Sequence, residues 1–492
     1  MGAIGAIDGS RPAIDDGSFN MSYAQLQSAV SQGREWLRSF GVRRCGLLAE
    51  NGVPWIVSDL ALLAEELVNV PLPGYFSESQ LAHVLDDAAI DSILTDDPQR
   101  FRAGHPMFEH IATSEETGLA LLQRARVDSA AQAAGISKIT YTSGSTGTPK
   151  GVCLSTQAME TVAQSLVAAT HRLGVERHIC LLPLPTLLEN IAGVYVPLMI
   201  GAQVLVQPAR ATGMSYGGLN VPLLLRAIEV AAPQSMVLVP ELLRVLQHAV
   251  ASGWRAPLSL KFIAVGGGAV SKELLQRAHA MNLPVYQGYG LSECSSVVCL
   301  NTPAENRPGS VGRPLNHAQV RVDSNGEICV RGATMSGYLG GESRSGEEIR
   351  TGDLGEIDED GFVYVRGRLK NMFITSMGRN IMPEWVEGEL TAEPAILQAL
   401  VTGEAKPYPV ALLTTRAGIE PSLIDRAIAR SNSRLPDYAR VRRWALFPKP
   451  PTFADGLLTA NGRLRRPEIV TLNHQLIESL YEHAVRYDHE LS

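Results

Sequence analysis

One segment of the chain, residues 139–152, concentrates side chains that can bind a phosphate group. It reads ITYTSGSTGTPKGV, and its Gly144 and Gly147 allow the backbone to turn tightly and to bring N–H groups close to an anion. Lys150 adds a compact positive charge. The hydroxyl groups that can donate to phosphate oxygens belong to Thr142, Ser143, Ser145 and Thr146. The segment therefore predicts a phosphate-binding loop that follows an apolar strand.

Two other interpretations of this loop are weaker. A Walker loop has the spacing GxxxxGK(S/T), whereas here Thr148 and Pro149 separate the second glycine from the lysine. A solvated Gly/Ser linker seldom lies between an apolar strand and another apolar run, as this segment does. Phosphate binding outside the Walker pattern is the favoured interpretation.

Apolar periodicity predicts the elements that must position this loop. Helical patterns occur at residues 21–40, 55–67, 221–231 and 272–281, and short apolar strands at 45–49, 69–72, 202–207, 235–239, 261–265 and 284–286. This alternation predicts an α/β fold with parallel, buried sheets whose ligands bind beyond the carboxyl ends of the strands. A smaller antiparallel region is predicted from strands at 318–322, 326–331 and 361–366. A compact α+β region is expected from about residue 371, ending in a helix at 469–485.

Composition limits the class of protein. The chain has 492 residues, 45% of them apolar and 19% charged, which predicts at least two globular domains. A net charge of −7 argues against nucleic acid or an anionic membrane as the main partner. The six cysteines form no CxxC pair and have no histidines at metal spacing, so reduced structural thiols and a cytoplasmic location are expected. Neither a secretory signal nor a membrane-spanning segment is expected, because residues 1–18 lack an apolar stretch and residues 55–73 contain acidic side chains.

The phosphate loop resembles that of the adenylate-forming superfamily, which includes acyl-CoA synthetases, aryl-CoA ligases, luciferases and peptide-synthetase adenylation domains. Four further segments match the family in its order, which makes the resemblance specific and extends it over most of the chain. They are residues 286–293 (YQGYGLSE, adenine and magnesium), 351–354 (TGDL, ribose), 367–370 (GRLK, hinge) and 377–387 (MGRNIMPEWVE, the opening of the C-terminal domain). The last segment is most similar to the long-chain acyl-CoA synthetase branch.

The resemblance implies a division at residues 1–369 and 370–492, an AMP-binding domain followed by a mobile C-terminal domain. It implies that Lys150, Ser292, Glu293 and Arg463 are catalytic, with Glu293 also holding Mg²⁺. The implied ATP-binding residues are Thr142, Ser143, Gly144, Ser145, Thr146, Gly147, Gly267, Gly288, Tyr289, Asp353 and Arg368. Lys370 corresponds to the hinge, and Gly378 to the glycine that lets the pantetheine arm pass. Each of these assignments has a rival interpretation. For Glu293 it is a glutamate stabilised by a helix dipole. For Tyr289 it is a core residue, and for Asp353 and Arg368 it is a surface ion pair.

The chain departs from the family pattern at its C-terminal cation. The family has a catalytic lysine near its C-terminus, in a Thr-x-x-Gly-Lys type of segment, and here the segment LTANGRLRR has Arg463 at that position. A planar guanidinium does not simply replace a compact ammonium in a tight site. Adenylation is therefore expected to be slower, adapted, or supported by another cation such as Arg465 or Lys449.

A second departure lies in residues 182–190 (LPLPTLLEN), which match the segment that gates the acyl pocket in the family. Thr186 stands where a histidine or bulky aromatic residue is frequent, and Leu187 and Asn190 are the other predicted pocket residues. A small side chain predicts either a more open entrance to the pocket or a substrate that is held differently. Because the segment lacks the aspartate that binds an α-ammonium group in amino-acid-activating relatives, an acyl or aryl acid is preferred as substrate.

The resemblance implies ATP-dependent activation of a carboxylic acid, expected to be a fatty or other acyl acid, with ATP, Mg²⁺ and a thiol as cosubstrates. The thiol belongs either to CoA or to the phosphopantetheine of a carrier protein, which would act in trans because no Gly-x-Ser attachment segment follows in the chain. The alternative is a homologue with impaired adenylation that binds ATP or acyl-adenylate as a sensor, a partner subunit or a thioesterification-only enzyme. Arg463 is the feature that supports this alternative.

Overall fold

The computed structural model describes residues 2–125, 135–142, 149–215, 218–342, 344, 346–416, 418–452, 455–458 and 463–482. Within these residues the chain is an α/β protein, as predicted, with a large N-terminal region of two mixed sheets and a smaller C-terminal region. No helix in the described ranges has both the length and the apolar character needed to cross a bilayer.

The first large sheet positions the predicted phosphate loop. Its eight strands, in spatial order, are Gly337–Tyr338, Lys150–Leu154, Lys138–Thr142, Val68–Pro71, Arg44–Leu48, Ser92–Thr95, Ala120–Gln123 and Glu109–Thr113. The strands Lys138–Thr142 and Lys150–Leu154 are antiparallel, with Thr142 opposite Lys150. The predicted loop thus connects the two strands of a hairpin, and its residues 143–148 lie outside the described ranges.

The second large sheet forms one wall of the main cleft. Its nine strands, in spatial order, are Arg313–Pro314, Cys299–Leu300, Val285–Tyr289, Phe262–Val265, Ser235–Leu238, Arg177–Cys180, Gln203–Val206, Pro12–Asp15 and Asn20–Ser22. The five strands from Val285–Tyr289 to Gln203–Val206 are parallel to one another. They are rich in β-branched and apolar residues because helices cover both faces of a parallel sheet.

Helices cover the sheets and also form part of the C-terminal region. The α-helices are Gly2–Gly5, Tyr23–Ser39, Val53–Ala64, Glu78–Asp87, Pro98–Gly104, Thr156–Thr170, Val196–Met199, Val221–Ala231, Pro240–Ala251, Lys272–Ala280, Pro383–Thr391, Pro421–Ser433, Arg466–Leu472 and His474–Glu482. Short 3₁₀ turns occur at His171–Leu173, Ser292–Cys294, Leu369–Asn371 and Asp437–Ala439, and a π-helix at Glu189–Tyr195. Serine side chains begin several of these helices; Ser22 and Ser77 each form a reciprocal capping box with a glutamine.

The antiparallel region predicted after residue 310 is present. Its four strands, Ala318–Val322, Glu327–Gly332, Ile349–Ile357 and Val363–Arg368, form one antiparallel sheet. Two-stranded ribbons pair Met214–Ser215 with Gly218–Leu219 and Phe373–Ile374 with Asn380–Ile381. The C-terminal sheet contains Ile396–Thr402, Val410–Thr415 and Arg443–Leu446. Its apolar side chains pack in two clusters, whose buried residues run from Phe373 to Val441 and from Leu400 to Tyr481.

The C-terminal helix differs from the sequence prediction. Residues 469–485 were expected to form one helix, but the structure has two, Arg466–Leu472 and His474–Glu482, and residues 483–485 lie outside the described ranges. The break is at Asn473, whose backbone leaves the helical region and whose side-chain amide donates to the carbonyl of Ile469 at 2.9 Å. An asparagine that binds the preceding turn competes with helix continuation, which explains the break.

Candidate functional site

A cleft of about 1900 Å³ lies between the N-terminal sheets and the C-terminal region. One wall consists of residues at the carboxyl ends of the parallel strands, including Gly266–Gly268 and Tyr289. The antiparallel sheet contributes Asp353 and Arg368, and the C-terminal region contributes Arg463. The cleft therefore lies where ligands bind in open α/β sheets, with a second region covering it.

Asp353, Arg368 and Tyr289 form a connected polar group in this cleft. Asp353 and Arg368 are opposite each other on the antiparallel strands Ile349–Ile357 and Val363–Arg368. The Nε of Arg368 is 2.8 Å from Oδ1 of Asp353, and the Tyr289 hydroxyl donates to Oδ2 at 2.6 Å. Burial raises the pKa of the Asp353 carboxyl, and Arg368 opposes this effect. The result is a largely buried acceptor held in a fixed orientation by two donors.

Glu293 lies in the 3₁₀ turn Ser292–Cys294, shortly after the strand Val285–Tyr289. Its carboxylate accepts a hydrogen bond from the Tyr338 hydroxyl at 2.8 Å, and its backbone carbonyl accepts from the N–H of Met335 at 2.8 Å. Gly290 permits this turn, because a Cβ at that position would lie 1.6 Å from the carbonyl oxygen of Ser296. Glu293 and Ser292 both face the cleft.

Arg463 reaches the cleft from the C-terminal region. Its Nε donates to the carbonyl of Gly267 at 2.7 Å, and its terminal nitrogen contacts the same oxygen. Gly267 adopts a left-handed backbone conformation, with φ of 77°, which turns the chain at the end of the strand Phe262–Val265. Burial is the largest effect that lowers the pKa of Arg463, and the charge of nearby Arg368 lowers it further. Asp353 raises this pKa and so opposes both effects. The guanidinium and the Asp353 group thus belong to one site.

The remaining predicted residues are distributed around the cleft. Thr142 and Lys150 line it from the phosphate-loop hairpin, and Lys370 lines it from the 3₁₀ turn Leu369–Asn371. The predicted contacts Ser143, Gly144, Ser145, Thr146 and Gly147 lie outside the described residues. Gly378 lies at a tight turn with φ of 70° and is not among the described residues that line the cleft.

The predicted acyl-pocket residues do not all lie in the cleft. Thr186 and Leu187 line it, and the Thr186 hydroxyl donates to the carbonyl of Pro183 at 2.5 Å. Asn190, in contrast, points into the interior, where it contacts Lys138 and Asp59. The reason is the π-helix Glu189–Tyr195, whose wider turn places Asn190 on the buried side.

The interior network around Lys138 was not predicted from the sequence. The Lys138 ammonium donates to Asp59 Oδ1 at 2.7 Å, to Asn190 Oδ1 at 2.5 Å and to the Tyr195 hydroxyl at 2.9 Å. Asp59 Oδ2 in turn accepts from Asn190 at 2.9 Å and from Tyr195 at 2.7 Å. All four residues are buried. A lysine at the start of the strand that leads into the phosphate loop was the available signal, since a buried lysine requires a partner.

The structure also places His178, Cys180 and Glu189 together beside the cleft, although the sequence spacing did not indicate it. All three are buried, and their ligand atoms lie within 4.8 Å of one another. His178 and Cys180 share one face of the strand Arg177–Cys180, because side chains two residues apart in a strand point the same way. All six cysteines are buried, and none forms a disulfide.

Comparison with known proteins agrees with this geometry. The family model described as "AMP-binding enzyme" matches residues 6–339, and "AMP-binding enzyme C-terminal domain" matches residues 370–485. A 2-succinylbenzoate–CoA ligase of Bacillus mycoides is 30% identical over 427 residues, covering 80% of this chain and 83% of that protein. A long-chain-fatty-acid–CoA ligase, FadD15 of Mycobacterium bovis, is 31% identical over 268 residues but covers only 48% of this chain and 44% of that protein.

Solved structures share the fold at lower sequence identity. The anthranilate CoA ligase AuaEII in complex with anthranoyl-AMP has a TM-score of 0.79 at 20% identity, covering 96% of this chain and 95% of that one. The o-succinylbenzoate CoA synthetase of Bacillus subtilis, in complex with its acyl-adenylate intermediate, has a TM-score of 0.76 at 24% identity, covering 95% and 96%. The match of the family model over most of the chain, together with the relative that spans it, shows that this protein belongs to the AMP-binding enzyme family, the adenylate-forming superfamily that its motifs predict.

Proposed function

We propose that this protein is an AMP-forming acid–CoA ligase. In the first half-reaction a carboxylate oxygen of the acid attacks the α-phosphorus of ATP. The bond between this phosphorus and the oxygen that bridges to the β-phosphate breaks, and pyrophosphate leaves. In the second the CoA sulfur attacks the acyl carbon, AMP leaves, and the thiol proton passes to solvent. The observation that carries the proposal is the convergence of Asp353, Arg368 and Arg463 on one cleft, with the phosphate-loop hairpin at its edge.

The Asp353 group is suited to bind the ribose of ATP. A carboxylate has about four lone-pair positions, and Arg368 and Tyr289 use one on each oxygen of Asp353. The remaining positions can accept the 2′- and 3′-hydroxyls. Gly288 and the ring of Tyr289 line the adjacent wall, where adenine would stack. Tyr289 then has two roles, since its hydroxyl also orients Asp353.

Glu293 is suited to hold Mg²⁺ at the phosphates. Magnesium prefers one or two carboxylate oxygens combined with phosphate oxygens and water, and Glu293 offers a carboxylate at the cleft surface whose Oε1 accepts from Tyr338. The ion would supply charge neutralisation at the triphosphate. Lys150, Thr142 and Ser292 surround the same part of the cleft and can bind phosphate oxygens directly.

Arg463 is suited to stabilise the charge that develops between the carboxylate and the α-phosphate. It lies beside the Asp353 group, and its anchor on the Gly267 carbonyl orients the guanidinium within the cleft. A guanidinium remains charged under all physiological conditions, and its several donors can bind carboxylate and phosphate oxygens together. An arginine at this position therefore keeps a positive charge in the site, in a different shape from that of a lysine.

The second half-reaction requires a different arrangement of the C-terminal domain, which we assign to residues 370–492. Lys370 lies at the junction, within the 3₁₀ turn Leu369–Asn371, where a change of few backbone angles can rotate the whole domain. Gly378 lies on an exposed turn, where no described atom is within 4 Å of a Cβ position. Rotation about Lys370 would bring this turn to the cleft, where a glycine leaves room for the pantetheine arm.

An apolar carboxylic acid is the substrate class that the cleft supports. The side chains on its acyl side include Leu166, Leu173, Leu182, Leu187, Val196 and Phe262. An aromatic acid is the first candidate, because the relatives that align with most of the chain are named for 2-succinylbenzoate. A fatty acid is the second, because the same lining suits an alkyl chain and one shorter alignment is to a long-chain-fatty-acid–CoA ligase. CoA is preferred to a carrier protein as the acceptor, because these relatives are all named CoA ligases.

Acid-dependent exchange of pyrophosphate into ATP tests the first half-reaction without assuming the acceptor. We expect exchange with at least one acid from a panel of benzoates, aryl dicarboxylates and fatty acids, and a large loss of that exchange in Arg463→Ala. Arg463→Lys should retain exchange above Arg463→Ala, since it keeps the charge. No exchange with any acid, in a protein that binds ATP, would instead favour an adenylate-binding homologue without adenylation activity, the second candidate that Arg463 suggests.

A further inference from the structure

The cluster of His178, Cys180 and Glu189 is separate from the nucleotide-binding residues. His178 and Cys180 come from the strand Arg177–Cys180, and Glu189 is the first residue of the π-helix Glu189–Tyr195. His178 also lines the cleft, on its acyl side together with Ser235 and Ala192. The cluster therefore lies where the strand Arg177–Cys180 of the parallel sheet meets the π-helix, beside the cleft.

Two side-chain atoms in this cluster have no hydrogen-bond partner among the described residues. They are Nε2 of His178 and Oε2 of Glu189, in side chains that are 3% and 0% exposed. Burying a polar atom without a partner is unfavourable, so these two atoms indicate an unfilled position. The other atom of each side chain is held in place, since Nδ1 of His178 is 2.8 Å from the Ser235 hydroxyl and Oε1 of Glu189 accepts from the N–H of Leu181 at 3.0 Å.

A glycine keeps open the space beside Nε2 of His178 and Oε1 of Glu189. A Cβ at Gly193 would lie 3.0 Å from the Glu189 carboxyl and 3.1 Å from Nε2 of His178. The carbonyl of the same glycine is 3.3 Å from the sulfur of Cys180. Any larger residue at position 193 would enter the space onto which the three side chains converge.

We propose that His178, Cys180 and Glu189 form a Zn²⁺-binding site in the wall of the acyl pocket. Imidazole nitrogen, thiolate sulfur and carboxylate oxygen are the ligand types that zinc uses, frequently three from the protein with a fourth position for water or a ligand. Tetrahedral zinc with bonds of about 2.0–2.3 Å requires ligand atoms about 3.3–3.8 Å apart. The observed separations, up to 4.8 Å, require a contraction of about 1 Å.

The partners that hold the cluster fit this role. If the Ser235 hydroxyl accepts from Nδ1–H, the imidazole presents the bare Nε2 to the ion, which is how ligating histidines are oriented. Oε1 of Glu189, which faces this space, keeps a lone pair beside its bond to Leu181, and Oε2 has no partner among the described residues, so the carboxylate has room for an ion. His178 itself lines the cleft, as do the neighbouring Leu188 and Ala192, so the cluster borders a space from which an ion can arrive. Coordination releases the thiol proton of Cys180, and that of Glu189 where it is protonated, to solvent.

The site has a structural consequence that does not depend on the proposed ligase activity. Zinc would connect the strand Arg177–Cys180 to the π-helix Glu189–Tyr195 and thereby fix the wall formed by residues 186–196. The sequence led us to expect reduced, mostly structural thiols, and under this proposal Cys180 is one that is not only structural. Cys180 would be a metal ligand, whereas Cys45, in the strand Arg44–Leu48, is a buried thiol outside the cluster.

Metal binding to the full-length protein tests the proposal directly. We expect one Zn²⁺ per chain that survives gel filtration, and, after exchange for Co²⁺, an absorption band from thiolate-to-cobalt charge transfer. Cys180→Ala should lose this band and the bound metal, whereas the matched variant Cys45→Ala should keep both. Ser235→Ala should keep the three ligands but bind zinc about 10- to 100-fold more weakly, because the histidine loses its orienting partner.

Two results would overturn the proposal. One is wild-type protein that neither contains zinc nor takes up Zn²⁺ or Co²⁺ at micromolar concentrations. The other is a cobalt band that persists in Cys180→Ala, which would place the metal elsewhere. If Cys180→Ala does not fold, the wild-type stoichiometry and Ser235→Ala, checked by circular dichroism, decide the question. Each measurement is independent of acid, ATP and CoA, so failure of the ligase proposal would not affect it.

Discussion

Asp353 is the residue on which the nucleotide site depends most. Its carboxylate is 5% exposed and is held by Arg368 on one oxygen and by Tyr289 on the other. Burial raises its pKa, and the adjacent guanidinium favours the charged form that hydroxyl donors require. Geometry and charge together make this side chain a fixed acceptor in the cleft.

Asp353→Asn should weaken ATP binding with little change in folding. The amide keeps the size of the side chain but loses the charge that strengthens its bonds to hydroxyl groups. A hydrogen bond to a charged group is worth about 1.5–3 kcal/mol, so we expect the KM for ATP in the exchange reaction to rise about 10- to 100-fold. Tyr289→Phe, which removes one neutral donor to Asp353, should have a smaller effect. An unchanged KM in Asp353→Asn would exclude this residue from the ATP site.

At this scale the sequence predicted which residues converge but not all of their contacts. Asp353, Arg368, Tyr289, Glu293 and Arg463 were selected by motif, and all line the cleft. The bond from Tyr289 to Asp353 and that from Tyr338 to Glu293 join residues 64 and 45 positions apart. Such pairings depend on how distant strands meet, which the local pattern of residues does not contain.

The buried network around Lys138 acts at the scale of elements. It connects the helix Val53–Ala64, the strand Lys138–Thr142 that leads to the phosphate loop, and the π-helix Glu189–Tyr195 that borders the acyl pocket. Burial lowers the pKa of Lys138, and Asp59 opposes this effect. The network thus orders three elements whose ends form different parts of the cleft.

Removing both charges of this network should destabilise the protein by less than the sum of the two single losses. Asp59→Asn leaves a buried ammonium without its counter-ion, and Lys138→Met leaves a buried carboxylate, each costing about 3–5 kcal/mol. The double variant leaves neither charge, so its loss should be clearly smaller than the sum of the single losses. Urea unfolding of the three variants measures this coupling. Additive losses would show that Asp59 and Lys138 do not act as a pair.

At the scale of elements, strands and helices with clear periodicity were predictable and irregular ones were not. The helix Val221–Ala231 and the strand Ala318–Val322 have the predicted bounds. The π-helix Glu189–Tyr195 was missed, because its sequence has no period that separates it from an ordinary helix. It is this element that turns Asn190 away from the cleft, where the family resemblance had placed it.

For the whole molecule, the orientation of the C-terminal region depends on contacts across the cleft. Arg244 donates to the Thr391 hydroxyl at 3.1 Å, the Arg277 guanidinium contacts the carbonyl of Ala392, and Arg463 contacts Gly267. All three link the N-terminal region to the C-terminal region. Under the proposed function they stabilise the arrangement in which Arg463 is at the site of adenylation.

Thr391→Val should shift the balance between the two half-reactions. It removes the hydroxyl that accepts from Arg244 and so weakens the arrangement with Arg463 in the cleft by about 0.5–1.5 kcal/mol, which corresponds to roughly a 2- to 10-fold lower exchange rate. The transfer to CoA from preformed acyl-AMP should not slow. Thr471→Val is a matched control, since its hydroxyl donates within one helix to Pro467. Equal exchange rates in the two variants would contradict a role for the Thr391 contact.

The central claim, that the cleft forms an acyl-adenylate, is tested most directly by a single-turnover reaction. Enzyme in excess is mixed with an accepted acid and MgATP without CoA, and the quenched products are identified by mass spectrometry. We predict acyl-AMP and pyrophosphate in equal amounts, followed on addition of CoA by equal amounts of acyl-CoA and AMP. Formation of ADP and phosphate would contradict the account. So would formation of acyl-CoA when no acyl-AMP is detected before CoA is added.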